Sequence, residues 1–407
     1  MRALVLGYGR SGKAAEALLK AQGAESVVLA DDGRDRIEGE GFDVAVVSPG
    51  IALTHKWTVE AKRRGIPLKS ELQLGCEELK RRGWKLLAVT GSKGKSSVVK
   101  VVADALNLAG RRAVACGNYG LPVCEVAGGC GDRNVAAPGW AVVEVSSFMM
   151  ETTELSSDTF EAATVLNLQE DHLDRHGSVE VYHGLKRKLL SFAKRGFGPA
   201  ATGMSPPRAG AAEAAAATGM PPPLWKGSYF DNEILSGNAA AAAGLMRVAG
   251  LDDAAIARAF AAFEPLPHRM NRVATIGGVD YVDDSKATSI AALAAGVKMA
   301  VPPVRLIAGG LPKGDDPKNA LPILTERVKK VYLIGQSAET FSAAWKSAVD
   351  CEICGTMEIA VEAAKREAAK GETVLLSPGT ASFDQFQSFG ERGEVFARLV
   401  KKEREDK

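Results

Sequence analysis

Apolar residues fall along this chain in two alternating registers, short unbroken runs and longer stretches with helical spacing. Ala3-Leu-Val-Leu6, Val27 to Ala30 and Asp43-Val-Ala-Val-Val47 are runs of the kind a strand produces when both its faces are covered. Lys13 to Ala21 and Glu71 to Arg82 carry helical spacing, and Ser70 sits where an N-cap belongs. The pattern repeats from Lys85. Strands are expected near Leu87, Ala113 to Cys116, Trp140 to Val145 and Ala162 to Leu166, with an amphipathic helix over Ser97 to Leu108. Helices resume at Gly237 to Val248 and Asp252 to Phe263. From His268 strands are expected near Val273 to Ile276, Tyr281, Val304 to Ala308, Val331 to Ile334 and Thr373 to Leu376. Alternation of this kind predicts an α/β protein of three consecutive blocks with mostly parallel sheets. Residues 198–223 degenerate into Ala, Gly and Pro and read as a loop, while Glu264-Pro-Leu-Pro267 reads as a stiff hinge.

Composition narrows the class without naming it. The 407 residues, 46% apolar and 25% charged, suffice for two or three domains. Fifty-one basic residues against forty-nine acidic ones leave a charge of +2, so no bias toward nucleic acid or anionic membrane follows. No apolar run approaches the roughly eighteen residues of a membrane span, and Met1 leads straight into a strand pattern. The expectation is a cytoplasmic protein that neither inserts into a membrane nor binds nucleic acid. Six scattered cysteines, with one CxxC at Cys351 and Cys354, are expected to be reduced thiols.

Chemistry concentrates where strands end. The run Leu87-Ala-Val-Thr-Gly-Ser-Lys-Gly-Lys-Ser96 passes from a strand into a glycine-rich turn, G-x-x-G-K-S, although Val89 stands where the strict Walker spacing has glycine. Such a turn cradles phosphate: backbone N–H groups of Gly91, Ser92, Lys93 and Gly94 face the anion, Lys95 adds a point charge, Ser96 offers a hydroxyl to Mg²⁺, and Ser97 continues the helix start. Upstream, Gly7-Tyr-Gly-Arg-Ser-Gly12 is a G-x-G-x-x-G with Asp31 nineteen positions beyond it, the spacing of a dinucleotide fingerprint. Some phosphate at that helix start is implied, from NAD or from another nucleotide, or else the glycines serve only helix packing. Glu144 closes a buried strand, well placed for Mg²⁺ at the open edge of the sheet. Asn167-Leu-Gln-Glu-Asp-His-Leu-Asp-Arg-His176 packs two histidines and three carboxylates into one loop, a combination suited to hard cations or phosphate. Pro267-His-Arg-Met270 and Asp283-Asp-Ser-Lys-Ala-Thr288 put cations beside the hinge, able to complete a phosphoryl-transfer site on closure.

Taken together, Thr90 to Ser96, Glu144-Val-Ser-Ser-Phe148, Asp171 to His176, Pro267-His-Arg269, Asp284-Ser-Lys-Ala-Thr288 and Ser377-Pro-Gly-Thr-Ala-Ser-Phe-Asp-Gln-Phe386 resemble, in order, the motifs of the Mur ligases of peptidoglycan synthesis. The C-terminal stretch with Phe389 and Arg392 resembles the D-glutamate-adding branch. That resemblance implies three α/β domains: a Rossmann-like UDP-substrate domain at 1–83, a P-loop ATP domain at 84–266 and a Rossmann-like amino-acid domain at 267–407. It implies a monomer that uses ATP and Mg²⁺ to join D-glutamate to UDP-N-acetylmuramoyl-L-alanine through an acyl phosphate. By motif match, Lys95, His172 and Lys186 carry the catalysis. Ser96, Glu144, His172 and Lys186, the last as a carbamate, hold metal. Asn238, His268, Arg269, Asp284 and Lys286 join the loop around ATP. Ser11, Asp31, Arg34, Ser48, Gly50 and Asn118 face the UDP substrate, and Thr288, Lys313, Ser382 and Phe389 face D-glutamate. From its neighbours alone Lys186, beside Arg187 and Lys188, reads as a helix-surface lysine.

The chain departs from the family pattern at several points. Lys93 replaces the usual Asn or Thr, and Met149 stands where glutamine is usual. The His-Asn-x-x-Asn motif is reduced to Asn238, and the span from Asp31 to Asp43 is short. An NAD-dependent dehydrogenase would account for Gly7 to Gly12 and Asp31 but leaves the Gly-Lys-Ser turn idle. A folylpolyglutamate synthetase would not explain the Ser382 to Phe389 stretch, and a binding protein without activity is the reading that the departures favour.

Overall fold

Fifteen strands in three sheets form among the described residues of the computed structural model, which are 1–24, 26–30, 37–129, 138–198, 225, 228–230 and 235–402. The first sheet holds β1 (Arg2–Leu6), β2 (Ser26–Ala30), β3 (Val44–Val47) and β4 (Leu68–Ser70) in the order β2-β1-β3-β4, all parallel. The second holds β5 (Lys85–Thr90), β6 (Ala113–Gly117), β7 (Trp140–Glu144), β8 (Ala162–Val165) and β9 (Gly196–Phe197) in the order β6-β7-β5-β8-β9, again parallel. The third holds β10 (Asn271–Ile276), β11 (Val279–Asp283), β12 (Val304–Gly309), β13 (Val328–Ile334), β14 (Asp350–Gly355) and β15 (Thr373–Leu376) in the order β10-β11-β15-β12-β13-β14. There the β10–β11 hairpin alone is antiparallel. The expected α/β class with mostly parallel sheets is what forms.

The described residues make two compact units, Met1–Phe263 and Glu264–Lys407. In the first unit the first two sheets share a core. Ala3, Val5 and Leu18 belong to the same buried cluster as Leu86, Ala88 and Val143. The helices Glu71–Arg81 and Val123–Gly128 pack so closely that a Cβ on Gly75 would lie 2.7 Å from the Cys124 nitrogen. Ser70 caps the former helix by accepting from Gln73 N. The second unit has apolar clusters on both faces of its sheet, one around Leu306, Leu333 and Trp345, the other around Ile307, Tyr332 and Phe396.

Several boundaries move. The first helix begins at Arg10, not Lys13, so Ser11 and Gly12 lie in its first turn. A Cβ on Gly12 would sit 2.0 Å from the Gly7 carbonyl oxygen, which makes this glycine a close contact between helix and strand. Strands β4, β9 and β14 were not expected. Strand β14, Asp-Cys-Glu-Ile-Cys-Gly, is an edge strand with a single buried position, Cys354, and lacks the apolar run of a central strand. The CxxC lies within it, and Cys76, Cys116, Cys124, Cys351 and Cys354 are free thiols. Asp31, Arg34, Cys130 and the Ala/Gly/Pro tract from 199 to 223 lie outside the described residues.

Candidate active site

The phosphate loop leaves β5 at Thr90, whose hydroxyl donates to the Val145 carbonyl at 2.8 Å. Gly91 has φ 152° and Gly94 φ 84°, backbone that suits glycine. At Gly94 there is no room either: a Cβ would fall 2.2 Å from Asn238 Nδ2. The loop is held from outside by the 167–169 segment. Asn167 accepts from Lys93 N at 2.8 Å and donates to Lys93 O at 3.0 Å, and Ser92 Oγ donates to Gln169 O and accepts from Gln169 N, each at 3.0 Å. No side chain caps the helix Lys95–Leu108. Its first N–H groups therefore point at the loop as a ready anion site. Lys95 Nζ folds back onto the carbonyls of Gly91 (2.8 Å) and Ser92 (3.1 Å), and the Lys93 ammonium lies 3.8 Å from Asp171 Oδ2.

Glu144, the last residue of β7, is 2% exposed. Its Oε1 accepts from Asn118 Nδ2 at 2.7 Å, while its Oε2 is buried without a hydrogen-bond partner. A buried carboxylate oxygen left open next to a phosphate loop fits a hard cation. His172 is half-exposed with φ 53°, its Nε2 3.7 Å from Asp171 Oδ2 and its ring 4.8 Å from that of Phe148. The two histidines of this loop have different surroundings. Among the described residues no three His, Cys, Asp or Glu side chains are placed to share a metal. His176 instead turns inward, with Nε2 3.0 Å from Ser147 Oγ and Nδ1 3.4 Å from Glu151 Oε1, and burial lowers its pKa.

Lys186 is not a surface lysine. It is 2% exposed, donates from Nζ to the Gly91 carbonyl at 3.0 Å and lies 4.4 Å over the Tyr182 ring. Tyr182 in turn has its hydroxyl 3.2 Å from Ser92 Oγ. Desolvation first, then repulsion from Lys95, lowers the Lys186 pKa to about 7. Sequence neighbours alone could not show this, because Tyr182 lies on the same helix but the loop at Gly91 is ninety-five positions away.

In the first sheet, Ser48 is buried and its hydroxyl donates to the Gly7 carbonyl at 2.8 Å, which ties the 48–51 loop to the glycine turn. Arg175, which the sequence reading passed over, donates to the carbonyls of that loop and pairs with Glu151.

The second unit carries its own constellation. His268 Nδ1 lies 2.7 Å from Asp283 Oδ2, and the Arg269 N–H donates to Asn271 Oδ1 at 2.9 Å. Asp284 accepts from Ser377 Oγ at 2.9 Å, and its burial raises its pKa to about 7. Lys286 Nζ lies 4.0 Å over the Phe389 ring. Thr288 is half-buried, Lys313 exposed and Ser382 buried. Beneath them Arg392, 1% exposed, donates to Ser285 Oγ and O and to the carbonyls of Thr380 and Ala381.

Residues 89–198 match the Mur ligase middle domain and residues 268–379 the Mur ligase, glutamate ligase domain. The UDP-N-acetylmuramoylalanine--D-glutamate ligase of Acidobacterium capsulatum is 34% identical over 459 residues, covering 98% of this chain and 96% of the relative. The chain belongs to the Mur ligase family. Ligases of the same name from Nitratidesulfovibrio vulgaris strain DP4 and Chlamydia caviae are 34% and 32% identical, each over 98% of this chain and 95% or 97% of the relative. Among solved structures, the MurF ligase from Thermotoga maritima in complex with ADP aligns with TM-score 0.59 at 15% identity, over 98% of this chain and 93% of that one. The MurC ligase from Thermotoga maritima aligns with TM-score 0.58 at 13% identity, over 98% of both chains. At that identity the two structures speak to the fold alone.

Proposed function

We propose that this Mur ligase family member joins D-glutamate to the L-alanyl carboxylate of UDP-N-acetylmuramoyl-L-alanine in an ATP-driven reaction of peptidoglycan precursor synthesis. What carries the reading is likeness along almost the whole chain, at 34% identity, to ligases of that name. The NAD-dehydrogenase alternative finds no such support.

The proposed sequence is transfer of the ATP γ-phosphoryl group to the alanyl carboxylate, giving an acyl phosphate, then attack by the D-glutamate amine and loss of phosphate. In this reading the loop N–H groups of residues 91–97, with Lys95, bind and orient the triphosphate. The lysine leaves its carbonyl partners in the loop for phosphate oxygens. The open Oε2 of Glu144 fits Mg²⁺, with Ser96, His172 and a carbamate on Lys186 as companion ligands. When bound, Mg²⁺ would neutralise the charge on the transferring phosphoryl group. A lysine whose pKa is about 7 presents free amine at neutral pH. That neutral amine adds to CO₂, forming an N–C bond as one C=O π bond opens and releasing one proton, so that the side chain becomes an anion.

Ser11, Asp31, Arg34, Ser48, Gly50 and Asn118 are assigned to the UDP substrate. Asn238, His268, Arg269, Asp284 and Lys286 are assigned to ATP, and Thr288, Lys313, Ser382 and Phe389 to D-glutamate. The domain division at 1–83, 84–266 and 267–407, the monomeric state and the cytoplasmic location belong to the same proposal. The test is phosphate release by purified protein with ATP and Mg²⁺. It is expected only when UDP-N-acetylmuramoyl-L-alanine and an amino acid are both present, with D-glutamate preferred. Folded protein that releases none overturns the assignment.

A further inference from the structure

Arg175 stands at the end of the short helix Leu173–His176 and binds two pieces of chain far apart in sequence. On one side its Nη2 donates to the carbonyls of Pro49 (3.3 Å) and Ile51 (3.0 Å), and its Nη1 to that of Gly50 (3.4 Å). On the other it forms a forked ion pair with Glu151, Nε to Oε1 at 3.0 Å and Nη2 to Oε2 at 2.7 Å. Its guanidinium carbon lies 4.7 Å over the Phe148 ring. The Arg175 and Glu151 side chains are 15% and 9% exposed, so this is not a solvated surface pair.

We infer that Arg175 is a positioning residue that fixes the 49–51 loop, and with it the UDP substrate, against the turn that carries His172. Three successive carbonyls and the two Glu151 oxygens make five acceptors around one site, more than the three N–H groups of an ammonium can serve and matched to the five of a guanidinium. Glu151 fixes the other edge of the guanidinium and also faces His176, whose ring lies 5.5 Å from Tyr182, the residue under Lys186. A continuous set of contacts thus runs from the substrate loop to the lysine beside the phosphate loop. Arg175 acts through the loop and touches neither substrate nor nucleotide in this role.

The inference rests on the proposed ligase reaction, and its test separates the two. In steady-state assays of the full chain, Arg175→Ala is expected to raise KM for UDP-N-acetylmuramoyl-L-alanine by about tenfold to a hundredfold, the loss of two or more charge-assisted hydrogen bonds, with KM for ATP within about twofold of wild type. Added guanidinium at millimolar concentration is expected to restore part of the loss, and Arg175→Lys to restore little of it. An Arg175→Ala protein, folded by circular dichroism, with unchanged substrate KM overturns the inference, as does a pure kcat loss without guanidinium rescue. If wild type shows no ligation, the ligase reading fails and amide hydrogen exchange decides the inference. Arg175→Ala must then speed exchange of the 49–52 amides while β1 is unchanged, and equal exchange rates overturn it.

Discussion

Lys186 donates its Nζ proton to the carbonyl of Gly91, the first glycine of the phosphate loop, at 3.0 Å. The same oxygen accepts from Lys95 Nζ at 2.8 Å, so two amines meet at one acceptor within a largely dry site. Burial first, and then the repulsion between two ammonium groups so placed, lowers the pKa of Lys186 from an ordinary 10.5 to about 7.

Replacing Lys186 by Ala is therefore expected to remove most activity, since it deletes the amine that CO₂ would modify. Short carboxylates such as formate or acetate are expected to return part of it by supplying oxygen ligands in the space left. In wild type, activity in CO₂-depleted buffer is expected to fall and to recover on adding bicarbonate. The recovery should weaken as pH drops below about 7, where the amine is protonated. Full activity of Lys186→Ala without added carboxylate would remove the modified lysine from the mechanism.

Glu144 offers a second test. Glu144→Gln keeps the oxygen that accepts from Asn118 and replaces the open Oε2 by an amide nitrogen that cannot bind a cation. The fold should survive. The magnesium-dependent part of ADP affinity, measured by calorimetry with and without Mg²⁺, is expected to fall by about tenfold to a hundredfold. Equal magnesium enhancement in the variant and wild type would place the metal elsewhere.

Gly94 is constrained twice, by φ 84° and by Asn238 Nδ2 at 2.2 Å from the place of a Cβ. Gly94→Ala is expected to cost about 1–3 kcal/mol and to abolish nucleotide binding, because either Asn238 or the loop must move. Gly110 has φ 71° but nothing within 4 Å of a Cβ. Gly110→Ala therefore carries the backbone strain alone and is expected to bind nucleotide normally. If both variants bind alike, the contact with Asn238 does not shape the loop.

Local signals carried much of the fold. Ser70 caps its helix as a serine at that position should, and strands such as β5, β7 and β12 announce themselves because most of their residues are apolar. The glycine turns were legible for the same reason, since backbone geometry selects the residue. Edge strand β14 was not, because its pattern follows one partner strand and solvent. At the candidate site the positions of Lys95, Glu144 and His172 could be read from motifs, but the environments of Lys186 and Arg175 could not. Lys186 is buried by Tyr182 and the loop that starts at Gly91, ninety-five positions away, and Arg175 meets carbonyls 124 to 126 positions away. No short window of sequence holds Lys186 with Gly91, or Arg175 with residues 49–51.

Glu71 yields the last test, one of stability against pH. Its Oε1 accepts from Cys124 N at 2.6 Å, its Oε2 is buried without a partner, and burial raises its pKa from 4.5 to about 7. Between those two values the folded chain holds the proton and the unfolded chain has lost it. The folded state binds more protons there, so this group makes stability fall as pH rises from about 4.5 to about 7, with no further change above. Glu71→Gln removes the titration and keeps an oxygen to accept from Cys124. Relative to wild type it is expected to gain stability between pH 4 and pH 8 in urea titrations followed by far-ultraviolet circular dichroism. A stability difference between the two proteins that is the same at both pH values would mean that Glu71 is already ionised in the folded chain, with water or a cation at its second oxygen.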